Sequence, residues 1–132
     1  MRYLLDTHIC IVLIRQKPPA LLDRIAQHTV ADIGISSITV AELQYGVFRS
    51  QHRAQNQQAL AQFLLPLNIL DFDYEAAVAY GQLRATLEAR GEPIGSLDML
   101  IAAQAVSRGL IVVANNIREF ARVPGLSVED WS

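Results

Sequence analysis

The stretch RYLLDTHICIVLI, Arg2–Ile14, sets a single carboxylate, Asp6, into a run that is otherwise nearly all apolar. Before the acid, Tyr3-Leu4-Leu5 reads as a short buried strand. After it, Ile9, Val12 and Leu13 recur at helical spacing. Strand, acid, helix is the opening of an α/β unit, and it puts the acid at the end of the strand.

The same alternation runs down the chain. Pro18-Pro19 ends the first helix and opens a second, with Leu21, Leu22 and Ile25 on one face. Ile33-Gly34-Ile35 is a second strand. Ser36 or Ser37 then caps a helix with Ile38, Ala41, Tyr45 and Phe48 on one stripe. A further helix spans about Ala54 to Leu65 and stops at Pro66. Asn68-Ile69-Leu70 is a third strand, followed by a long helix from about Tyr74 to Ala89 that ends at Arg90-Gly91. The segment GSLDMLIAAQAVSRG is a helix apolar on almost every side and closed by Gly109, which belongs in the interior. Leu110 to Val113 is a fourth strand. Pro124-Gly125 makes a turn, and Leu126 to Val128 adds an edge strand.

Strands that are solid apolar runs, separated by helices, imply a parallel sheet covered on both faces. The expected fold is therefore α/β, a three-layer α/β/α sandwich whose central sheet has four to five mostly parallel strands. Residues 1–132 read as a single domain, without repeat, linker or low-complexity segment. Ligand sites in such sheets lie beyond the carboxyl ends of the strands, where strand order reverses. Asp6 follows the first strand directly and points to that crevice.

Composition bounds the function. With 132 residues the chain can bury roughly 68% of its unfolded surface. Apolar residues make up 52% and charged residues 18%, a globular balance. The longest strictly apolar run, Ile9 to Ile14, is far short of a membrane span. Asp6 interrupts any signal-peptide core and no small-residue cleavage site follows, so the expected location is the cytoplasm. Cys10 is the sole cysteine, which excludes an internal disulfide or a cysteine metal cluster and leaves a buried packing role. A net charge of −2 gives no overall basic field for nucleic acid. The cations are ten arginines and one lysine, a bias that forked phosphate contacts or simple genomic composition would explain equally.

Other acids can reach the same sheet edge. Glu42 borders the core face of the helix after the second strand. Asp98 lies in the first turn of the buried helix, and Asn115, Asn116 and Glu119 follow the fourth strand. Each has an ordinary structural role too. Asp6 would cap its helix, Asp98 would complement a helix dipole, Glu42 would be a solvated border residue, and Asn115-Asn116 a plain turn. Gathered together, three carboxylates would repel one another without a cation. Oxygen-only ligands suit magnesium or manganese rather than zinc.

The other motifs are negative. His8 stands near Asp6 and is placed to touch a substrate or simply to sit in the first helical turn. His28 and His52 read as surface. There is no His-x-x-x-His or Cys-x-x-Cys spacing, no Gly-x-Gly-x-x-Gly, no Walker loop and no Gly-x-Ser-x-Gly elbow. A zinc hydrolase, a nucleotide-cofactor enzyme and a serine hydrolase are disfavoured.

The segments LLDTHICI, SSITVAELQYGV, IGSLDMLIAAQA and VVANNIREF, with the closing RVPGLSVEDW, resemble a PIN-domain ribonuclease. More narrowly they resemble the VapC-type toxins of bacterial toxin–antitoxin pairs. The resemblance spans essentially the whole chain, and four motifs in order make it specific. It implies that Asp6, Glu42 and Asp98 are the acidic metal ligands. It assigns the fourth polar position to Asn116, with Glu119 near it, and leaves open which of the two meets the metal. Thr7 and Ser96 match polar neighbours of the first and third acids. Ala114 departs from the pattern, because a threonine is common there.

The chemistry implied by the resemblance is hydrolysis of RNA phosphodiester bonds with one or two Mg2+ ions, or Mn2+, leaving 5′-phosphate and 3′-hydroxyl ends. Structured RNA such as tRNA is the implied substrate. Arg15, Arg49 and Arg84 are candidates for gripping its backbone, or ordinary surface charge. A VapB-like antitoxin would lay its tail across the acidic site and carry the complex to operator DNA, and a homodimer is expected, with no membrane association. Two rivals stand beside this reading. One is a non-catalytic protein that keeps the fold to bind nucleic acid or regulate. The other is a phosphatase using Asp6 as nucleophile, which the His at position 8 disfavours, since such sites want a second acid there.

Overall fold

A computed structural model describes residues 1–131; Ser132, the end of the expected 1–132 domain, lies outside the described residues. The chain forms β1 (Tyr3–Leu5), α1 (Thr7–Arg15), α2 (Pro19–Ala26), β2 (Ile33–Ser36), α3 (Ser37–Phe48), α4 (Arg53–Leu64), β3 (Asn68–Leu70), α5 (Tyr74–Ala89), α6 (Ser96–Arg108), β4 (Ile111–Ala114) and β5 (Ser127–Asp130). Short 3-10 turns cover Val30–Asp32 and Phe120–Arg122. The five strands make one sheet in the order β3-β2-β1-β4-β5, and every pair is parallel. This is the expected three-layer architecture, at the five-strand limit and wholly parallel.

The two-residue period of a strand divides the core. Tyr3 and Leu5 face one layer together with Ile33, Ile35 and Val113, under Ile9, Leu13, Leu21 and Leu60. Leu4, Val112 and Ala114 face the other, under Leu83, Leu87, Met99 and Ala102. Burial on both faces is why β1 and β4, at the centre of the sheet, carry apolar side chains at every position. Cys10 is fully buried among the first set, as its neighbours implied, and burial pushes its thiol far up. Among the described residues no helix is long and apolar enough to cross a membrane.

Helix ends follow local chemistry. Ser36 is the residue that caps α3, accepting from the Ile38 N–H at 3.0 Å, while Ser37 Oγ accepts from Phe72 N–H at 3.1 Å and ties α3 to the loop after β3. Gly109, at φ 65°, closes α6. That closure takes the Leu110 N–H back to Ala105 O at 2.9 Å, so β4 starts at Ile111, one residue later than expected, and extends to Ala114. A turn at Gly125, φ 80°, similarly delays the edge strand, which runs Ser127–Asp130 rather than Leu126 to Val128.

One histidine departs from expectation. His28 is not plain surface: its ring stacks on Trp131 with centroids 4.9 Å apart and 10° between planes, and it lies 4.7 Å from Tyr3. Trp131 is buried and donates its indole N–H to Glu129 Oε1 at 2.9 Å, with Arg24 over the ring at 5.4 Å. A polar helix-end context gave no hint of an aromatic partner arriving from the far end of the chain.

Candidate functional site

Strand order reverses between β1 and β4. The chain steps outward from β1 through β2 to β3, then returns to the other side of β1. Asp6 stands at that reversal. Its backbone is still in the sheet, donating N–H to Val113 O at 3.0 Å, while its Oδ1 accepts from the Ile9 N–H at 2.8 Å and caps α1. Asp6 is a helix cap, as its ordinary role has it, and it also lines the crevice at the strand end.

A cavity of about 260 Å³ opens there. Asp6, His8, Asp98 and Glu119 line it, with Asn115, Asn116 and Phe120. Asp98 arrives in the first turn of α6, whose N-cap, Gly95, has no side chain to satisfy the helix end. Glu119 takes up part of that duty. Its Oε2 accepts from the Gly95 N–H at 3.4 Å, and it shares a hydrogen bond with Asp98.

The electrostatics record the crowding. Asp6 is only 6% exposed, and burial raises its pKa from 3.8 to about 6 against the lowering effect of the Ile9 N–H and nearby His8. Asp98 is raised to about 7, first by burial, then by its hydrogen bond to Glu119 and by the charges of Glu119 and Asp6. Glu119 is shifted down, chiefly by that same hydrogen bond. The two carboxyls are thus driven apart, Asp98 toward the protonated form and Glu119 toward the charged one.

Glu42 stands apart. It is half-buried on α3 and lines a neighbouring cavity of about 310 Å³ with Thr7, Arg15, Tyr45 and Arg49, above an apolar floor that includes Ile11 and Leu60. Thr7 borders this second cavity as the neighbour of Asp6. Its hydroxyl is 3.0 Å from that of Thr39, one turn before Glu42, so the pair sets α3 against α1. Among the described residues no three His, Cys, Asp or Glu side chains close into a group able to hold an ion.

The remaining expected residues divide. Asn116 lines the cavity, but its Oδ1 accepts from the Arg118 N–H at 3.3 Å, within its own turn. Glu119 is thus the residue beside Asp98. Ser96 is exposed at the start of α6 and does not line the cavity. Arg15 and Arg49 border the second cavity, whereas Arg84 is held on its own helix by Glu88 at 2.9 Å and Tyr80 at 3.0 Å. Asn115, named among the residues that follow the fourth strand with a plain turn as its ordinary role, has its Oδ1 closed from solvent with no hydrogen-bond partner. Only its place directly after β4 could have marked it.

The donor set fits a hard divalent cation. It offers carboxylate and amide oxygens, two of the carboxylates pushed toward protonation and one amide oxygen without a donor.

The model of the PIN domain matches residues 3–126. The tRNA(fMet)-specific endonuclease VapC of Salmonella typhimurium is 44% identical over 131 residues, covering 99% of this chain and 98% of that one. Ribonuclease VapC2 of Rickettsia felis is 44% identical over 134 residues, covering 99% and 98%. The crystal structure of DNA-bound VapBC from Salmonella typhimurium superposes with a TM-score of 0.96 at 43% identity, covering 100% of this chain and 99% of that one. VapBC2 from Rickettsia felis, bound to a promoter DNA fragment, gives 0.90 at 43% identity over the full length of both. The chain belongs to the PIN-domain family and, within it, to the VapC proteins.

Proposed function

We propose that this chain is a metal-dependent endoribonuclease toxin, restrained by a VapB-like antitoxin. The observation that carries the reading is that Asp6 and Asp98, from opposite ends of the sequence, line one cavity at the switch point of a parallel sheet. Both are buried enough to resist ionisation alone. Magnesium, when bound, would lower the pKa of a water and offset charge on the phosphate.

The chain's own groups divide the remaining work. Asp6 and Asp98 would offer their carboxylates to the ion, with Glu119 beside Asp98, while Glu42 lines the neighbouring cavity. The backbone of β1 and the Ile9 N–H fix where the Asp6 carboxylate points. Glu119 accepts the hydrogen bond of Asp98 and so keeps that acid in place before metal enters. His8, exposed on the cavity wall, is the imidazole placed to meet a phosphate oxygen. Arg15 and Arg49 at the adjoining cavity extend the surface on which an RNA backbone would lie.

Structured RNA is the substrate class, and transfer RNA is the first to test, because the Salmonella relative is named for tRNA(fMet). The solved relatives are VapBC complexes, two of them on DNA. That supports a cognate antitoxin and operator binding through it. A homodimer acting in the cytoplasm completes the reading.

The second reading, a non-catalytic nucleic-acid-binding protein, draws on Ala114 and on the distance of Glu42 from the other acids. One assay separates the two. Purified, antitoxin-free protein with magnesium should cut an RNA pool containing tRNA, and Asp6→Asn should not. No cleavage by the wild type, or equal cleavage by the variant, ends the enzyme reading.

A further inference from the structure

A buried acceptor with no donor costs on the order of 1–3 kcal/mol and calls for an explanation. Asn115 Oδ1 is such an atom, and Asn115 sits on the wall of the cavity that Asp6 and Asp98 also line. It follows β4 directly, as Asp6 follows β1, and the two strands are neighbours in register, Leu5 opposite Val113. That register sets Asp6 level with Ala114 and Asn115 one residue beyond it, so both leave the carboxyl ends of adjacent strands and both line the cavity. Asn116, next in the chain, is exposed and satisfied by the Arg118 N–H, so the turn itself does not require Asn115.

We propose that Asn115 supplies, through Oδ1, a neutral oxygen to the divalent cation that Asp6 and Asp98 hold. This rests on the metal reading given above and adds a residue to it. The chemistry is consistent throughout. Asp6, Asp98 and Asn115 line one small cavity, and the Asn115 amide oxygen has no hydrogen-bond donor, a lack that a cation in the cavity would answer. A neutral amide among carboxylates also limits the repulsion that a further acid would add. Asn, Asp and Glu oxygens are together the ordinary ligands of Mg2+ and Mn2+.

The test is calorimetric titration of Mn2+ into metal-free protein, without RNA. Asn115→Leu keeps the bulk and removes the oxygen; Asn115→Asp keeps the oxygen. Melting in EDTA reports folding. Asn115→Leu should melt in EDTA at or above wild type, because the orphaned acceptor is gone, while its Mn2+ affinity falls about tenfold or more. Asn115→Asp should bind Mn2+ at least as tightly as wild type. Asn115→Leu binding Mn2+ like wild type overturns the proposal and leaves the metal reading standing. Loss of affinity in Asn115→Asp as well overturns it too, since the amide nitrogen would then be the working atom. Should the wild type itself bind no Mn2+, with Asp6→Asn indistinguishable from it, the metal reading falls and takes this proposal with it.

Discussion

Asp98 and Glu119 converge on Gly95 at the start of α6, and their proximity pushes the Asp98 carboxyl up and the Glu119 carboxyl down. The pair is a consequence of an uncapped helix. Gly95 leaves the α6 N-terminus without a side-chain cap, and Glu119 answers with a charge at that end while Asp98 occupies its first turn. Two acids brought this close ionise together only at a cost, and a cation beside them would offset it.

Metal binding should therefore release protons and tighten with pH. Asp6, at about 6, and Asp98, at about 7, must both deprotonate to act as ligands. Mn2+ titrations at pH 5.5 and 7.5 should show affinity rising with pH, with proton release measurable by comparing buffers of different ionisation heat. Affinity flat across this range would contradict the assignment.

Asp6→Asn should stabilise the metal-free protein at neutral pH while abolishing cleavage. The folded pKa of Asp6, about 6, lies above its unfolded value of 3.8. Between the two the native state holds more protons, so this stabilising contribution is present in full below about 4 and is lost as pH rises through 6. At pH 7.5 the buried charge costs on the order of 2–3 kcal/mol. Asn keeps the cap on Ile9 and carries no charge. Melts in EDTA should rise by several degrees at pH 7.5, and the gain should vanish near pH 4. A variant melting well below wild type at both pH values would make Asp6 a structural acid.

Glu42→Gln should also abolish cleavage, but without the same gain in metal-free stability. Glu42 is half-buried in the neighbouring cavity, away from the Asp98–Glu119 pair. Cleavage assays and EDTA melts on one preparation distinguish the two acids. Full activity in Glu42→Gln would remove that residue from the site.

Most of this fold was legible because its strands are short solid apolar runs and its helices are punctuated by Pro66, Gly91 and Gly109. Asp6 was legible for the same reason, as a charge in an apolar stretch. What the sequence could not reveal depends on partners distant in the chain. His28 looked like surface because Trp131 lies more than a hundred residues away, and Asn115 looked like a turn because its burial is set by neighbouring elements. The choice between Asn116 and Glu119 beside Asp98 is likewise decided by which side chain the turn after β4 consumes.

The Thr7–Thr39 hydroxyl pair should be worth about 1 kcal/mol, with its effect centred on the second cavity. Thr39 is fully buried, so Thr39→Val leaves the Thr7 hydroxyl half-buried and without this partner. The single variants should each lower the melting temperature by a few degrees, and the double variant by less than their sum. Strict additivity in that cycle would mean that the hydroxyls do not couple.

Arg15 and Arg49 border the cavity beside Glu42, while Arg84 is tied to Glu88 and Tyr80 on α5, so the three arginines flagged by the sequence should separate in function. A cation that meets an RNA phosphate displaces counterions, and its loss flattens the dependence of affinity on salt by about 0.7–0.9 in log–log slope. Arg15→Ala and Arg49→Ala should raise KM for RNA cleavage and flatten the salt dependence of kcat/KM, with kcat little changed. Arg84→Ala should leave all three unaltered, because its exposed pair with Glu88 adds little to stability and it lines neither of the two cavities described above. Cleavage rates across a KCl series are sufficient to decide. If Arg84→Ala alone changed the slope, the RNA would have to cross the α5 face of the sheet, and the path past Glu42 would be wrong.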